Sequence, residues 1–406
     1  MDSFLEKALC NFAQKGRNIL QRAHMKILHL IYTNGVAGAE KYLINLLPSL
    51  GEFGYEAHLL IVCNPDTKDK LADYVEDVKK LGIPVKLLTS RRRHYLHCAR
   101  NISTYMKEND ISVIHSHLMN SDMIASLVKM FFMPGVQIIS TKHGYSEDIL
   151  NILSEGYDIK ELKRRVRKDR YFIFSKFILK YIRNNYAVSN VIGQFFTDVG
   201  MVRSPMPVIH HGVNATDPVE PPGFYRVSPH QLVILGRLEV IKGHAYLFEA
   251  MPDVIREFPD CILQIVGEGA EKAALVALAE KLGISEHLQF IGFQHAPQGY
   301  VRDADVIILP SIFESFGLVY IEAFYQGTPV VAFETGPTKE LMDDGVTGLL
   351  APFRNSKALG EKIIYLLKNK DAADRIAAQA KEKYHLQFTT RRMAENTANY
   401  YKQVLR

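Results

Sequence analysis

Two carboxylates with seven residues between them stand in Glu314-Ser315-Phe316-Gly317-Leu318-Val319-Tyr320-Ile321-Glu322, just after an apolar run at 304–309. The run predicts a strand, and the stretch after Phe316 predicts a helix ending near Gly327. In a parallel α/β sheet, ligands bind beyond the carboxyl ends of strands, so this loop and helix start lie where a substrate sits. Glu314 falls on the loop and Glu322 within the helix. The N–H groups of Phe316, Gly317, Leu318 and Val319 open the helix and can hold an anion between them. Carboxylates suit hydroxyls and amides suit phosphate, a combination that a sugar nucleotide requires.

Other strand ends repeat the pattern. A strand at 232–235 runs into Gly236-Arg237-Leu238-Glu239-Val240-Ile241-Lys242-Gly243. Arg237 brings a planar fork and Lys242 a point charge, and both could clamp a pyrophosphate. Solvated surface cations are the commoner fate of such residues, and it is their placement against Glu314 and Glu322 that favours a binding role. Gly267-Glu268-Gly269 follows the strand at 261–266 in the same topological position, although a literal G-x-G is weak evidence. Asp303-Ala304-Asp305 reads as the end of a helix and the start of a buried strand, and no metal is expected there. In the N-terminal half, Gly35-Val36-Ala37-Gly38-Ala39-Glu40 forms the first strand–helix turn. It is small enough for close backbone approach to a phosphate. It is not G-x-G-x-x-G, and the second strand ends at Asn64 with no acid for a dinucleotide ribose. His117 and His143 stand at strand ends that open on the cleft, where imidazoles can orient a hydroxyl. His115 is read as a buried structural residue. With 15 histidines in the chain, position has to carry these assignments.

The elements that must position these residues alternate strand and helix from residue 25 onward, predicting parallel doubly wound sheets. At 406 residues, two α/β domains are expected. The segments are an extension at 1–24, a first domain at 25–215, a linker at 216–228, a second domain at 229–385 and a final helix at 386–406. Strands are expected at 186–189 and 207–209, and Asp217-Pro218-Val219-Glu220-Pro221-Pro222-Gly223 marks the linker. A net charge of +5 is too mild to indicate nucleic acid. Four scattered cysteines imply neither a metal cluster nor a disulfide framework, and they fit a reducing cytoplasm. No apolar run is long enough to span a membrane.

Residues 160–183 interleave Lys and Arg with large apolar side chains, and Leu162, Val166, Ile173 and Phe177 fall near one helical face. Two readings stand: a helix packed on the sheet with a solvated basic face, or peripheral docking on an anionic membrane.

The ordered set Gly38-Ala39-Glu40, His117, Gly236-Arg237 with Lys242-Gly243, Gly267-Glu268-Gly269, the Glu314–Glu322 block, and Gly336 with Glu340 resembles the family-four glycosyltransferases. These are retaining enzymes of the GT-B fold, with two Rossmann-like domains facing across a cleft and a C-terminal helix returning to the first domain. The resemblance covers essentially residues 25–405. It implies a UDP- or GDP-sugar donor, a saccharide or lipid-linked acceptor, no metal, and a place in cell-surface polysaccharide, lipopolysaccharide or glycolipid synthesis. By the same resemblance, Arg237, Lys242 and the Phe316–Val319 amides meet the diphosphate, Glu322 the ribose and Glu314 the transferred sugar. The backbone at Gly292 and Phe293 meets the base, Gly38 and Gly267 approach the donor, and His117 lies beside the sugar. His143 and Glu40 are the acceptor-side candidates. The chain departs from the pattern at Ala37, and at His211 and Asn214, which fall at the hinge. A sugar-nucleotide epimerase or hydrolase of the same fold would use the same charged set, and a non-catalytic sensor would have little need of it.

Overall fold

A computed structural model describes residues 24–91, 94–144, 159–166, 173, 175–177, 181–202, 205–214 and 217–405. The extension at 1–24, apart from His24, and much of the basic segment at 160–183 lie outside them.

The first domain carries six parallel strands: β1 (Met25–Tyr32), β2 (Tyr55–Cys63), β3 (Val85–Thr89), β4 (Val113–His117), β5 (Gln137–Lys142) and β6 (Asn184–Ala187). Their spatial order is β3-β2-β1-β4-β5-β6. The second carries β7 (Gln231–Leu235), β8 (Ile262–Val266), β9 (Leu288–Gly292), β10 (Val306–Leu309), β11 (Val330–Phe333) and β12 (Leu349–Ala351). Read from β9 its order is β9-β8-β7-β10-β11-β12, the same arrangement over again. Each sheet therefore reverses direction once, between β1 and β4 and between β7 and β10, and a crevice opens at such a switch point. β1, β2, β4 and β10 are almost entirely buried, as strands covered on both faces must be, which explains their near-continuous apolar sequences.

Helices α1 (Gly38–Leu46), α2 (Ala72–Lys80), α3 (Tyr95–Glu108), α4 (Met119–Leu127), α5 (Ile159–Val166) and α6 (Asn190–Asp198) belong to the first domain. The second holds α7 (His244–Glu257), α8 (Lys272–Leu282), α9 (Gln298–Asp303), α10 (Leu318–Gln326), α11 (Gly336–Leu341), α12 (Ser356–Lys368) and α13 (Lys370–Gln387). The last helix, α14 (Thr390–Val404), returns to the first domain: Met393, Ala394, Ala398 and Tyr401 join its core, and Tyr401 meets Tyr55 edge to face. The return passes at a tight crossing, where Val213 N donates to Phe388 O at 2.9 Å and Tyr384 donates its hydroxyl to Val213 O at 3.0 Å.

The strand expected at 207–209 is only a single bridge, Ala187 to Val208. Pro205 and Pro207, which precede it, have no backbone donors and bar extension of the ladder on that side. Asp303 and Asp305 fasten the linker: Asp303 accepts from the N–H groups of Gly223 and Tyr225, and Asp305 pairs with Arg226. Of the basic segment, Val166 is buried in the first core, whereas Ile173 and Phe177 are more than half exposed, so the expected single apolar face is divided.

At the crossing, a Cβ on Gly212 would lie 2.3 Å from Thr389 O. Gly212→Ala is expected to destabilise the protein by about 1–3 kcal/mol through forced separation of the two strands. Thermal unfolding should show it as a lowered Tm.

Candidate functional site

The second domain brings its charges together through two glycine-mediated contacts. Gly243 ends the turn that carries Lys242 with φ of 71°, and its Cα lies so close to Pro310 that a Cβ would stand 1.9 Å from the Pro310 carbonyl oxygen. Ile312 N donates to Ile241 O at 2.8 Å, binding the same two loops. The loops follow β7 and β10, the strands that flank the switch point. Locked in this way, Lys242 Nζ lies 2.7 Å from Glu314 Oε1, which also accepts from Ser311 Oγ at 2.9 Å. Both charged side chains are about four-fifths buried. Arg237 is more exposed and pairs with Glu239 beside it.

Helix α10 opens one residue later than expected, at Leu318, after Gly317 with φ of 102°. The Tyr320 ring lies under Gly317, where no side chain would fit. The N–H groups of Leu318 and Val319 have no acceptor among the described residues, as the first turn of a helix dictates. Glu322 stands one turn on from Leu318, half-buried, with no hydrogen-bond partner among the described residues. Phe316, expected to contribute its N–H, places its side chain away from the charged pair. Its ring is buried and stacks on His211 of the first domain, with centroids 4.9 Å apart, so it fastens the two domains. Gly267 also has a different reason to be glycine. A Cβ there would lie 2.0 Å from Gly236 O, and its N–H donates to Gly292 O, so it lets neighbouring strand-end loops lie against each other. Phe293, just beyond Gly292, presents an exposed ring.

In the first domain, Gly38 opens α1 with empty space beside it. Glu40 does not face an acceptor. It is buried, and its carboxylate accepts the Ala37 N–H at 2.8 Å, securing the start of the helix. His117 is likewise buried rather than open to the cleft. Strand period and register explain why: β1 pairs His29 with His115, and His117 lies two residues further on the same face of β4. The result is a chain of imidazoles. His29 Nδ1 is 3.1 Å from His117 Nε2, and His117 Nδ1 is 3.0 Å from His143 Nε2. His115 meets the Tyr401 hydroxyl at 2.6 Å and Thr141 Oγ1 at 2.7 Å, in keeping with a structural role. Ring nitrogens of His29, His143 and His211 are buried without a hydrogen-bond partner among the described residues. Burial holds His29 and His143 down at about 3, the Lys142 ammonium adding to the effect at His143. His115, His117 and His211 are pushed well below the usual imidazole value by burial first and then by neighbouring histidines, His143 in each case. His29, His115 and His117 bring ring nitrogens within 4.8 Å of one another, but both nitrogens of His115 are engaged, so a metal there would displace its bond to Tyr401 or to Thr141.

The domains meet along this face. Ser189 donates its hydroxyl to Ser315 O at 2.6 Å. Glu340, on α11, accepts from the N–H groups of Asn190 and Val191 at 2.8 and 3.1 Å, at the start of α6. Burial disfavours the Glu340 charge, but His210 and these amides outweigh it and hold its pKa below the usual value. The sequence reading gave no role to His29, Ser189 or Glu340 and set His211 aside as a hinge residue. The strand order, which the sequence does not display, was the missing signal for the histidines.

Comparison with known proteins fits this geometry. The model for Glycosyltransferase Family 4 matches residues 36–217, and that for Glycosyl transferases group 1 matches residues 226–383. The chain belongs to glycosyltransferase family 4. A phosphatidyl-myo-inositol mannosyltransferase of Mycolicibacterium smegmatis is 27% identical over 360 residues, 86% of each chain. A glycosyltransferase from Rickettsia africae superposes with a TM-score of 0.73 at 19% identity, over 94% of this chain and 99% of its own. Anabaena HepE, solved with UDP-glucose, gives 0.72 at 19% over 94% and 100%. The fold is GT-B.

The buried imidazoles make stability pH-dependent. They are neutral in the folded protein and titrate near 6.5 once unfolded, so the unfolded chain binds more protons as the pH falls below 6.5. Each then costs about 1.4 kcal/mol per pH unit, down to about pH 3 for His29 and His143. Calorimetry from pH 7 to 4 should show a steep loss of Tm below pH 6, and His29→Gln should reduce the slope.

Proposed function

We propose that the protein is a retaining glycosyltransferase that moves a hexose-type sugar from a UDP- or GDP-sugar to a hydroxyl of a saccharide or lipid-linked acceptor. The reading includes polysaccharide or glycolipid synthesis at the cytoplasmic face of a membrane, without a metal. The observation that carries it is the Lys242–Glu314 pair at the switch point, beside the N–H groups of Leu318 and Val319.

The pair matches the two ends of such a donor. In the bound state Lys242 turns from Glu314 to the diphosphate, releasing a carboxylate to accept from sugar hydroxyls. Arg237 adds a second cation, the α10 amides meet phosphate oxygens, and Glu322 accepts from the ribose. Phe293 offers a ring surface to the base. As the glycosidic bond lengthens, negative charge grows on the departing diphosphate, and fixed cations and amides favour that state over the ground state. The leaving oxygen takes the proton of the incoming hydroxyl on the same face of the sugar, which retains the anomeric configuration. UDP-glucose in HepE and the phosphatidylinositol acceptor named for the mycobacterial relative support the substrate classes.

Lys242→Ala should lower kcat/KM about 10²- to 10³-fold, and Arg237→Ala less because that residue is more exposed. Unchanged donor affinity and turnover in the double variant would overturn the reading, and an inverted anomer by product NMR would overturn retention. Gly38→Ala should leave Tm unchanged while weakening donor binding. Co-sedimentation with anionic liposomes should fall as salt rises, and no binding at low salt would remove the membrane reading.

A further inference from the structure

Glu340 is not among the donor-binding groups, yet its carboxylate crosses from the second domain to the first. It stands on α11, and its oxygens accept from Asn190 N and Val191 N at 2.8 and 3.1 Å and from Asn190 Nδ2 at 3.1 Å. Those amides open α6, where a helix leaves N–H groups without partners of its own. A carboxylate from the opposite domain thus completes a first-domain helix. The packing beside it is tight: a Cβ on Gly336, the first residue of α11, would lie 2.5 Å from Val191 Cγ2.

The same turn of α6 reaches back to the second domain. Ser189, its N-cap, accepts from Ile192 N at 3.3 Å and donates its hydroxyl to Ser315 O at 2.6 Å. Ser315 directly follows Glu314. The first domain touches it a second time, since a Cβ on Gly144 would lie 2.8 Å from Ser315 Oγ. His210, 3.4 Å from the Glu340 carboxylate, sets its ring 5.4 Å from that of Phe316. A circuit therefore leaves the second domain at Glu340, passes through α6 and Ser189, and returns at the loop that bears Glu314.

We propose that Glu340 is a positioning residue for sugar transfer: by holding the amide end of α6 it keeps Ser189 on Ser315 O, and so fixes where the Glu314 carboxylate stands. This rests on the transferase reading. Lys242 and the start of α10 need no such support. They are secured within the second domain by the contact of Gly243 with Pro310 and by the Tyr320 hydroxyl, which donates to Leu309 O at 3.1 Å. Grip on the diphosphate and placement of Glu314 are therefore separable.

Kinetics can use whichever of UDP-glucose and GDP-mannose the wild type turns over, with water as acceptor. Glu340→Ala should lower kcat about 10- to 100-fold, the cost of a small misplacement at the reacting centre. Calorimetry should show its affinity for the matching nucleoside diphosphate unchanged. Ser189→Ala should cost a similar factor, and the double variant little more, because both act through Ser315. Losses that multiply would overturn the proposal, as would a lowered Tm with unchanged kcat. Without any substrate, hydrogen exchange by mass spectrometry should quicken at residues 311–317 in Glu340→Ala, and unchanged exchange there would also overturn it. A wild type that turns over neither donor would instead overturn the transferase reading, and the kinetic role of Glu340 with it.

Discussion

The site depends on the contact between Gly243 and the Pro310 carbonyl. A backbone without a side chain, held at positive φ, lets the lysine-bearing turn lie flat against the loop that carries Glu314. The loops come from β7 and β10, neighbours in space although about seventy residues apart in sequence. Once they touch, an ammonium and a carboxylate are held in contact in a largely dehydrated place, where charge interactions are stronger than in water. Bond geometry at one glycine thereby sets the electrostatics of the site.

The domains divide the chemistry. The second supplies charge: Arg237, Lys242, Glu314, Glu322 and the amide end of α10. The first supplies the imidazoles of His29, His115, His117 and His143, held neutral by burial and by neighbouring positive groups. The nearest buried charges in the first domain, Lys142 and Asp122, neutralise one another at 2.5 Å.

Contact between the domains is built into the same loops that form the site. Phe316 stacks on His211, Ser189 bonds to Ser315 O, and Glu340 occupies the amide end of α6. Residues that follow Glu314 by one or two positions thus touch the opposite domain. Any change in domain spacing is transmitted to the Glu314 carboxylate through a short, well-packed segment.

Much of this was legible in the sequence. Alternating apolar runs and helical periods gave two parallel sheets, since the strand interiors are too apolar to face water. The strand-end positions of Lys242 and Glu314 could be read from the apolar runs before them, and the structure brings the two together at the switch point. Strand order, register and domain contact decided the remainder. They drew His29 beside His115 and buried His117. They gave Phe316 to the opposite domain, Glu40 to a helix start and Gly267 to a neighbouring loop. These outcomes depend on which backbone passes within a few ångströms of which. That proximity is fixed by packing of distant segments, and no local pattern of residues encodes it.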